Sequence, residues 1–502
     1  MKRAAIFAAA IYLATAAHVG SKNVFFSGAA GPYDVSVVVR PPDVVPGLAE
    51  ISVRVPDGRN DVERVTVRPV RWDAQEGGAP PPDPAVPVPG DSELYSAELW
   101  LMTVGAYRIE VTVDGTRGSG TASVPVTSVM RGVRDLPPAL GGLLVVLGGL
   151  LLSGAVAIAG AAVRESRLAA NEGVRNTHRR RARFAMALAS GTLLAAAYGG
   201  YAWWNAVDRE ARSGIFQRLS VEGVVTPAVG GPVLEVRVTD RSWLGRNWSP
   251  LVPDHGKLMH MFVIGAPDMR RFAHVHPVPV DSATFRAPWP DLPAGEYRIY
   301  GDIVHESGFA QTVVDTLFVL DEALTRAEPV AVGEGDPDDS SWRGAPVPLT
   351  DSNPSTPLAD GSTLVWMGET ELRVDEEVKL TFAVRDPVGD PAALEPYMGM
   401  LSHAALTRTD GSVFVHLHPA GTISMGSLSV LAPDARPPTQ AGAVEEGMGD
   451  GTRDLMVAGS DDPAARVEFP YAFPQPGEYA VWVQVKREGQ VLTGAFRVKV
   501  EE

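Results

Sequence analysis

Two charge-free apolar spans near the middle of the chain restrict its topology more than any other feature. The first is Ala139 to Val163, ALGGLLVVLGGLLLSGAVAIAGAAV, and the second is Phe184 to Trp204, FAMALASGTLLAAAYGGYAWW. A helix of roughly 20 apolar residues crosses the hydrocarbon core of a bilayer, and both spans reach that length. Tyr198, Tyr201, Trp203 and Trp204 crowd the end of the second span, where an interfacial aromatic belt would sit. Small residues such as Ala155 and Ala159 would let the two helices approach closely. Between the spans, residues 164–183 carry Arg164, Arg167, Arg175, Arg179, Arg180, Arg181 and Arg183 against Glu165 and Glu172. The positive-inside rule puts this loop in the cytoplasm and both flanking parts of the chain outside.

The N-terminus agrees with that orientation. Lys2 and Arg3 precede the apolar stretch Ala4 to Ala17, which ends in small residues. Residues 1–23 therefore read as a secretory signal peptide, with an uncleaved anchor as the alternative. The expected location is a bacterial cell membrane, with the N- and C-terminal domains on the periplasmic or extracellular side.

The formal net charge is −16. The one basic cluster is already accounted for by membrane topology, so nucleic acid is not an expected partner. The chain has no cysteine. Blue-copper centres, iron–sulfur clusters and Cys-ligated zinc all need a thiolate. A metal would have to be held by His, Met, carboxylate or main-chain oxygen.

Outside the apolar spans the pattern is short period-2 runs separated by turn residues, such as YDVSVVVR, AEISVRV and AYRIEVTV. These read as half-buried strands. The pattern fills three segments, residues 24–130, 210–322 and 361–502. Residues 323–360 form an acidic, turn-rich linker between the last two. Each segment carries a Gly-x-Tyr late in its run: GAYRIEV from Gly105, GEYRIYG from Gly295 and GEYAVWV from Gly477. A Tyr entering a late strand in this way points to the tyrosine corner of immunoglobulin-like sandwiches. For Tyr107, Tyr297 and Tyr479 a structural role is expected. The fold class expected is mainly β: three immunoglobulin-like sandwiches plus a transmembrane helical hairpin.

Eight of the ten histidines lie between His255 and His418. RFAHVHP in the middle segment and VFVHLHP in the last each contain a His-x-His pair, preceded on an earlier strand by His260 and His403 respectively. Residues i and i+2 of a strand share a face. His274 with His276, and His416 with His418, therefore point the same way. If each strand pair forms a hairpin, three imidazoles converge in each segment, and imidazole is a common ligand for Cu(II) and Zn(II). Met259 and Met261 flank His260 and supply soft sulfur, yet alternation turns them to the opposite face, which favours a packing role. The middle copy adds His255 and, in GDIVHES, Asp302 and His305 as extra ligands or orienting groups. The last copy has Gln484, Lys486 and Arg487 there, and its cations oppose metal binding. The middle segment is thus the better of two separate candidate sites. A packing role for all these rings is the alternative.

The run HGKLMHMFVIGAPDMRRFAHVHP resembles bacterial exported domains of the YtkA-like and FixH-like kind, and EPYMGMLSHAALTRTDGSVFVHLHP is similar to another branch of them. By motif, the resemblance implies that Met259, His260, His274 and His276, with His403, His416 and His418, handle copper or another heavy metal. The sequence carries no GxSxG, P-loop, dinucleotide fingerprint or HExxH, which places an enzyme last. The expected function is a membrane-anchored, outward-facing metal-binding protein that buffers, senses or transfers copper, with zinc the second choice of ion. The alternatives are a scaffold that docks a membrane partner and, third, a copper-dependent oxidoreductase.

Overall fold

The structure is a computed structural model and describes residues 18–20, 22–56, 61–75, 77–166, 168, 173–228, 231–244, 249–324, 336–350, 352, 354–433 and 466–502. The stretch Ala4 to Ala17, read as a signal or anchor, lies outside the described residues. The chain divides into two compact units, one of residues 129–216 and one of the remainder.

The smaller unit holds two helices long and apolar enough to cross a membrane, Pro138–Glu165 and Asn176–Ser213. Their apolar side chains face outward: Leu144, Phe184, Tyr198, Trp203 and Trp204 are each at least half exposed. The helices meet at Gly160, where an added Cβ would lie 2.7 Å from the Met186 side chain. Of the two alanines expected at the contact, Ala155 is exposed and Ala159 half-buried. The Arg-rich connection is shorter than expected. The second helix begins at Asn176 and takes in Arg179, Arg180, Arg181 and Arg183, because Arg is a good helix former and nothing in that stretch breaks the turn.

The larger unit is mainly β, as the period-2 pattern predicts. Among the described residues it contains six sheets, which pair around three apolar cores. A five-stranded and a four-stranded sheet enclose the first core, with Val35, Val37, Ile51, Val67 and Ile109 fully or almost fully buried. A four-stranded and a six-stranded sheet enclose the second. A four-stranded and a seven-stranded sheet enclose the third.

The three Gly-x-Tyr turns behave alike. The glycine φ is +133° at Gly105, +153° at Gly295 and +133° at Gly477. Each Tyr hydroxyl then donates back to a main-chain carbonyl four residues upstream. Tyr107 reaches Thr103 O at 3.2 Å, Tyr297 reaches Pro293 O at 2.5 Å and Tyr479 reaches Gln475 O at 2.7 Å. Tyr479→Phe removes one such bond from a ring with no solvent exposure. It is expected to cost about 1 kcal/mol in chemical denaturation, and an unchanged denaturation midpoint would remove the corner from the stabilising interactions.

A fourth apolar cluster lies between sandwiches. Phe262, Ile264, Phe272 and Tyr300 of the middle six-stranded sheet pack against Ala405, Phe414, Ala480, Trp482 and Ala495 of the last seven-stranded sheet. Phe272 stacks on Trp482 at 4.9 Å, and Tyr300 on Phe414 at 4.2 Å. These sheets are buried on both faces, so the strands His260–Gly265 and Val413–Leu417 are buried throughout rather than in alternation.

Among its described residues, the segment expected to be a linker holds three short strands, Ser340–Arg343, Val347–Pro348 and Ser355–Pro357. Ser340–Arg343 pairs antiparallel with Arg271–Val275 of the middle sheet, with Ser340 opposite His274, and Val347–Pro348 pairs parallel with Gln490–Glu501 of the last. Its acidic composition hid these short strands, each of which extends one of the sheets.

Candidate metal centre

The histidines lie on the face of each sheet that turns away from its own core. In the strand His260–Gly265, residues 260, 262 and 264 share the interface face, while Met261 and Val263 point into the middle core. Met259 is buried in that same core, on the side away from the imidazoles, so strand alternation removes it from the candidate ligands. The hairpin register sets Phe262 opposite His274 and Ala405 opposite His416. Two residues along, His260 lies across from His276 and His403 across from His418, with ring centroids 5.0 and 5.1 Å apart.

The two copies face each other across the fourth core, so the structure forms one cluster where two separate sites were expected. His255, His260, His274, His276, His403, His416 and His418 form a continuous set with neighbouring ring centroids 4.3 to 6.2 Å apart. The exchange between copies is reciprocal. Gln484 Oε1 of the last copy lies 3.0 Å from His274 Nδ1 of the middle, and Asp302 Oδ2 of the middle lies 3.4 Å from His416 Nδ1 of the last. Asp302 sits opposite His260 and Gln484 opposite His403 in their sheets, so the two are structural counterparts.

Most rings have one nitrogen tied outward. His276 Nδ1 lies 2.8 Å from Asp339 Oδ1, His418 Nδ1 2.8 Å from Ile423 O, and His260 Nε2 3.0 Å from Asp254 O. The inward nitrogens are different. His255, His276, His416 and His418 each bury an Nε2 that has no hydrogen-bond partner among the described residues, and His403 buries both ring nitrogens in that condition. His260 Nδ1 and His274 Nε2 face one another at 3.2 Å. An outer hydrogen bond that fixes tautomer and ring orientation, with the second nitrogen aimed inward, is the arrangement metal-ligating histidines adopt.

Burial holds six of these rings neutral. It pushes the imidazole of His260 down to about 3 and that of His418 to about 4, and lowers those of His255, His274, His403 and His416. Neighbouring imidazoles add to the effect, because a second positive charge nearby is unfavourable. Burial raises the Asp302 carboxyl to about 7, against the hydrogen bond it accepts from Thr312. Neutral imidazoles keep the lone pairs that coordination needs.

His305 is outside the cluster. Its ring packs against Trp243 and Phe309, each 5.9 Å away, and bonds Gln311. The cations expected to oppose a site in the last copy are neutralised. Lys486 Nζ lies 3.3 Å from Asp338 Oδ1, and Arg487 Nε 3.1 Å from Asp360 Oδ2.

Several partners escaped the sequence reading. Asp339, with Asp336 and Asp338 beside it, comes from the presumed linker, where DPDD read only as acidic loop. Tyr397 reaches His274 Nδ1 at 3.3 Å. PDHGK aligned with PYMGM would have placed Tyr397 at the position of Asp254 and Met398 at that of His255. His255 and Met398 both have φ 50°, and each precedes a glycine of positive φ. The first sandwich also contributes. Ser27 N donates to Ala420 O and Thr422 N to Phe25 O, while Ile423 joins the first core. Gly421, φ +118°, has no room for a Cβ, which would lie 1.9 Å from Phe25 O. This clamp fixes Ile423, whose carbonyl orients His418.

Fold and site together define a mainly β protein with two apolar helices and a buried imidazole cluster whose triads could hold a metal ion. A family model described as Domain of unknown function (DUF8832) matches residues 357–502, the part that holds His403, His416 and His418. No YtkA-like or FixH-like family model matches, and no curated protein does. Similar solved structures include dimeric latent PorU from Porphyromonas gingivalis, at 9% identity and TM-score 0.15, covering 95% of this chain and 34% of that one. Trypsin-activated α2-macroglobulin from Escherichia coli is similar at 11% identity and TM-score 0.14, covering 96% and 26%. The chain thus spans about a third and a quarter of those proteins' lengths. A tetra-tandem repeat of a large adhesion protein is similar at 10% identity and TM-score 0.15, covering 91% and 96%.

Proposed function

We propose that this chain is a membrane-anchored metal-binding protein whose paired immunoglobulin-like sandwiches hold copper in the imidazole cluster, outside the cell, to buffer, sense or pass it on. The observation that carries this reading is the set of buried ring nitrogens on His255, His276, His403, His416 and His418 with no hydrogen-bond partner among the described residues. Each such group costs about 1–3 kcal/mol to bury. A fold tolerates that cost in one place when coordination repays it. The tied outer nitrogens of His260, His276 and His418 support the same reading.

Copper comes first because the inward donors are imidazoles with no thiolate, a set that suits Cu and Zn, and Cu(II) lies above Zn(II) in the affinity order. The three two-sheet sandwiches with tied-back tyrosines support the immunoglobulin-like assignment. The arginines between the two apolar spans support an outward-facing orientation. Equilibrium dialysis of the full chain in detergent against Cu(I), Cu(II) and Zn(II) tests the function. Binding tighter than about 10 μM, lost in a variant with His274, His276, His403 and His418 all changed to Ala that remains folded by circular dichroism, is the expected result. Absence of binding for all three ions overturns the reading and leaves a tethered scaffold.

A further inference from the structure

We infer that the cluster is a two-metal centre, with one ion held mainly by the middle copy and the other at the junction of the two copies. This rests on the metal-binding reading above and extends it to the number and placement of the ions.

The imidazoles fall into two triads. In His260, His274 and His276, one ligand atom from each ring lies within 4.8 Å of the other two, and the same holds for His255, His403 and His418. The first triad belongs wholly to the middle copy, whereas the second takes His255 from the middle copy and the others from the last. His416 lies between them. Its ring centroid is 5.5 Å from His260, 5.6 Å from His274, 5.5 Å from His403 and 4.3 Å from His418. Its Nδ1 faces Asp302, and its buried Nε2 has no partner among the described residues.

Ligand number argues for two ions. A tetrahedral imidazole site uses at most about four ring nitrogens, at roughly 2.0–2.1 Å from the ion. An ion in the first triad would leave His255, His403 and His418 with their buried nitrogens uncoordinated. An ion in the second triad would leave the Nε2 of His276 in that state. Only occupation of both gives every ring of the two triads a coordinated nitrogen, with His416 as the fourth ligand available to either ion. The metal-free triads also differ. His260 and His274 face each other at hydrogen-bonding distance, whereas both nitrogens of His403 have no partner among the described residues. The second triad is therefore less satisfied without metal and should fill first. The ligands suit two ions of one class, copper or zinc.

The test is metal stoichiometry. Full-length protein in detergent is stripped with chelator, loaded with excess Zn(II) or, without oxygen, Cu(I), desalted, and its metal measured by mass spectrometry against amino-acid analysis. Two ions per chain is the expected result. A single ion per chain overturns the two-metal inference while the metal-binding reading stands. No ion overturns both. His276→Ala and His403→Ala, each checked for folding by circular dichroism, are expected to retain one ion apiece. If both folded variants keep two ions, or if each loses all metal while the parent binds one, the two triads are not separate sites.

Discussion

Stripped of metal, the two His-bearing sandwiches are expected to lose stability steeply as the pH falls below about 6.5, the ordinary imidazole value. Six imidazoles are held below that value by burial: His255, His260, His274, His403, His416 and His418. In the unfolded chain they take up protons near pH 6.5, but in the folded chain they resist. Their stabilising effect is complete above that pH. It is lost as the pH falls toward about 4 for His418 and about 3 for His260, where even the folded protein would protonate them. Each proton bound by the unfolded state alone removes about 1.4 kcal/mol per pH unit. Several together approach the whole stability of a domain, roughly 5–15 kcal/mol. Asp302 acts in the opposite sense. Its carboxyl, raised to about 7, stabilises fully below its ordinary value and loses that effect as the pH rises to about 7. One carboxyl does not offset six rings. Urea titrations of chelated protein at neutral pH and at about pH 5 measure the difference, and equal midpoints would show that the rings are solvated rather than buried.

Trp482→Ala is expected to cost about 3–5 kcal/mol and to weaken zinc binding at the proposed centre with it. Trp482 is fully buried and stacks on Phe272 across the junction of the two copies. Gln484, which reaches His274, stands two residues further along the same face. The second triad draws ligands from both copies, so loosening the contact between their sheets should affect it before the first. Chemical denaturation and zinc content, measured beside Trp482→Phe, separate the two effects. A variant with unchanged stability and full metal content would show that the fourth core does not hold the copies in register.

How much of the site was readable depended on how local each relation was. The HxH spacing placed His274 with His276, and His416 with His418, on common faces, because a strand's side chains alternate whatever surrounds it. The same rule turned Met259 and Met261 toward the middle core, where both lie. The tyrosine turns were equally local, each closing on a carbonyl four residues away. His305 misled because its proximity in sequence to Asp302 suggested a shared site. In the strand Gly295–His305 it stands three residues beyond Asp302, on the opposite face.

The sequence by itself determined which face each histidine occupies, where the two long apolar helices run and how the late tyrosines are used. These follow from periodicity, run length and short-range hydrogen bonding. Only the tertiary structure decided that the two histidine faces meet, because alternation specifies a face without naming what covers it. It also decided that Gln484 and Asp302 cross between copies, that Asp339 reaches back from a stretch with no apolar pattern, and that the first sandwich grips the chain after His418. Those contacts join residues as much as 399 positions apart, as between Asn23 and Thr422. Such pairings are set by the packing of whole sheets, and no local period in the chain records them.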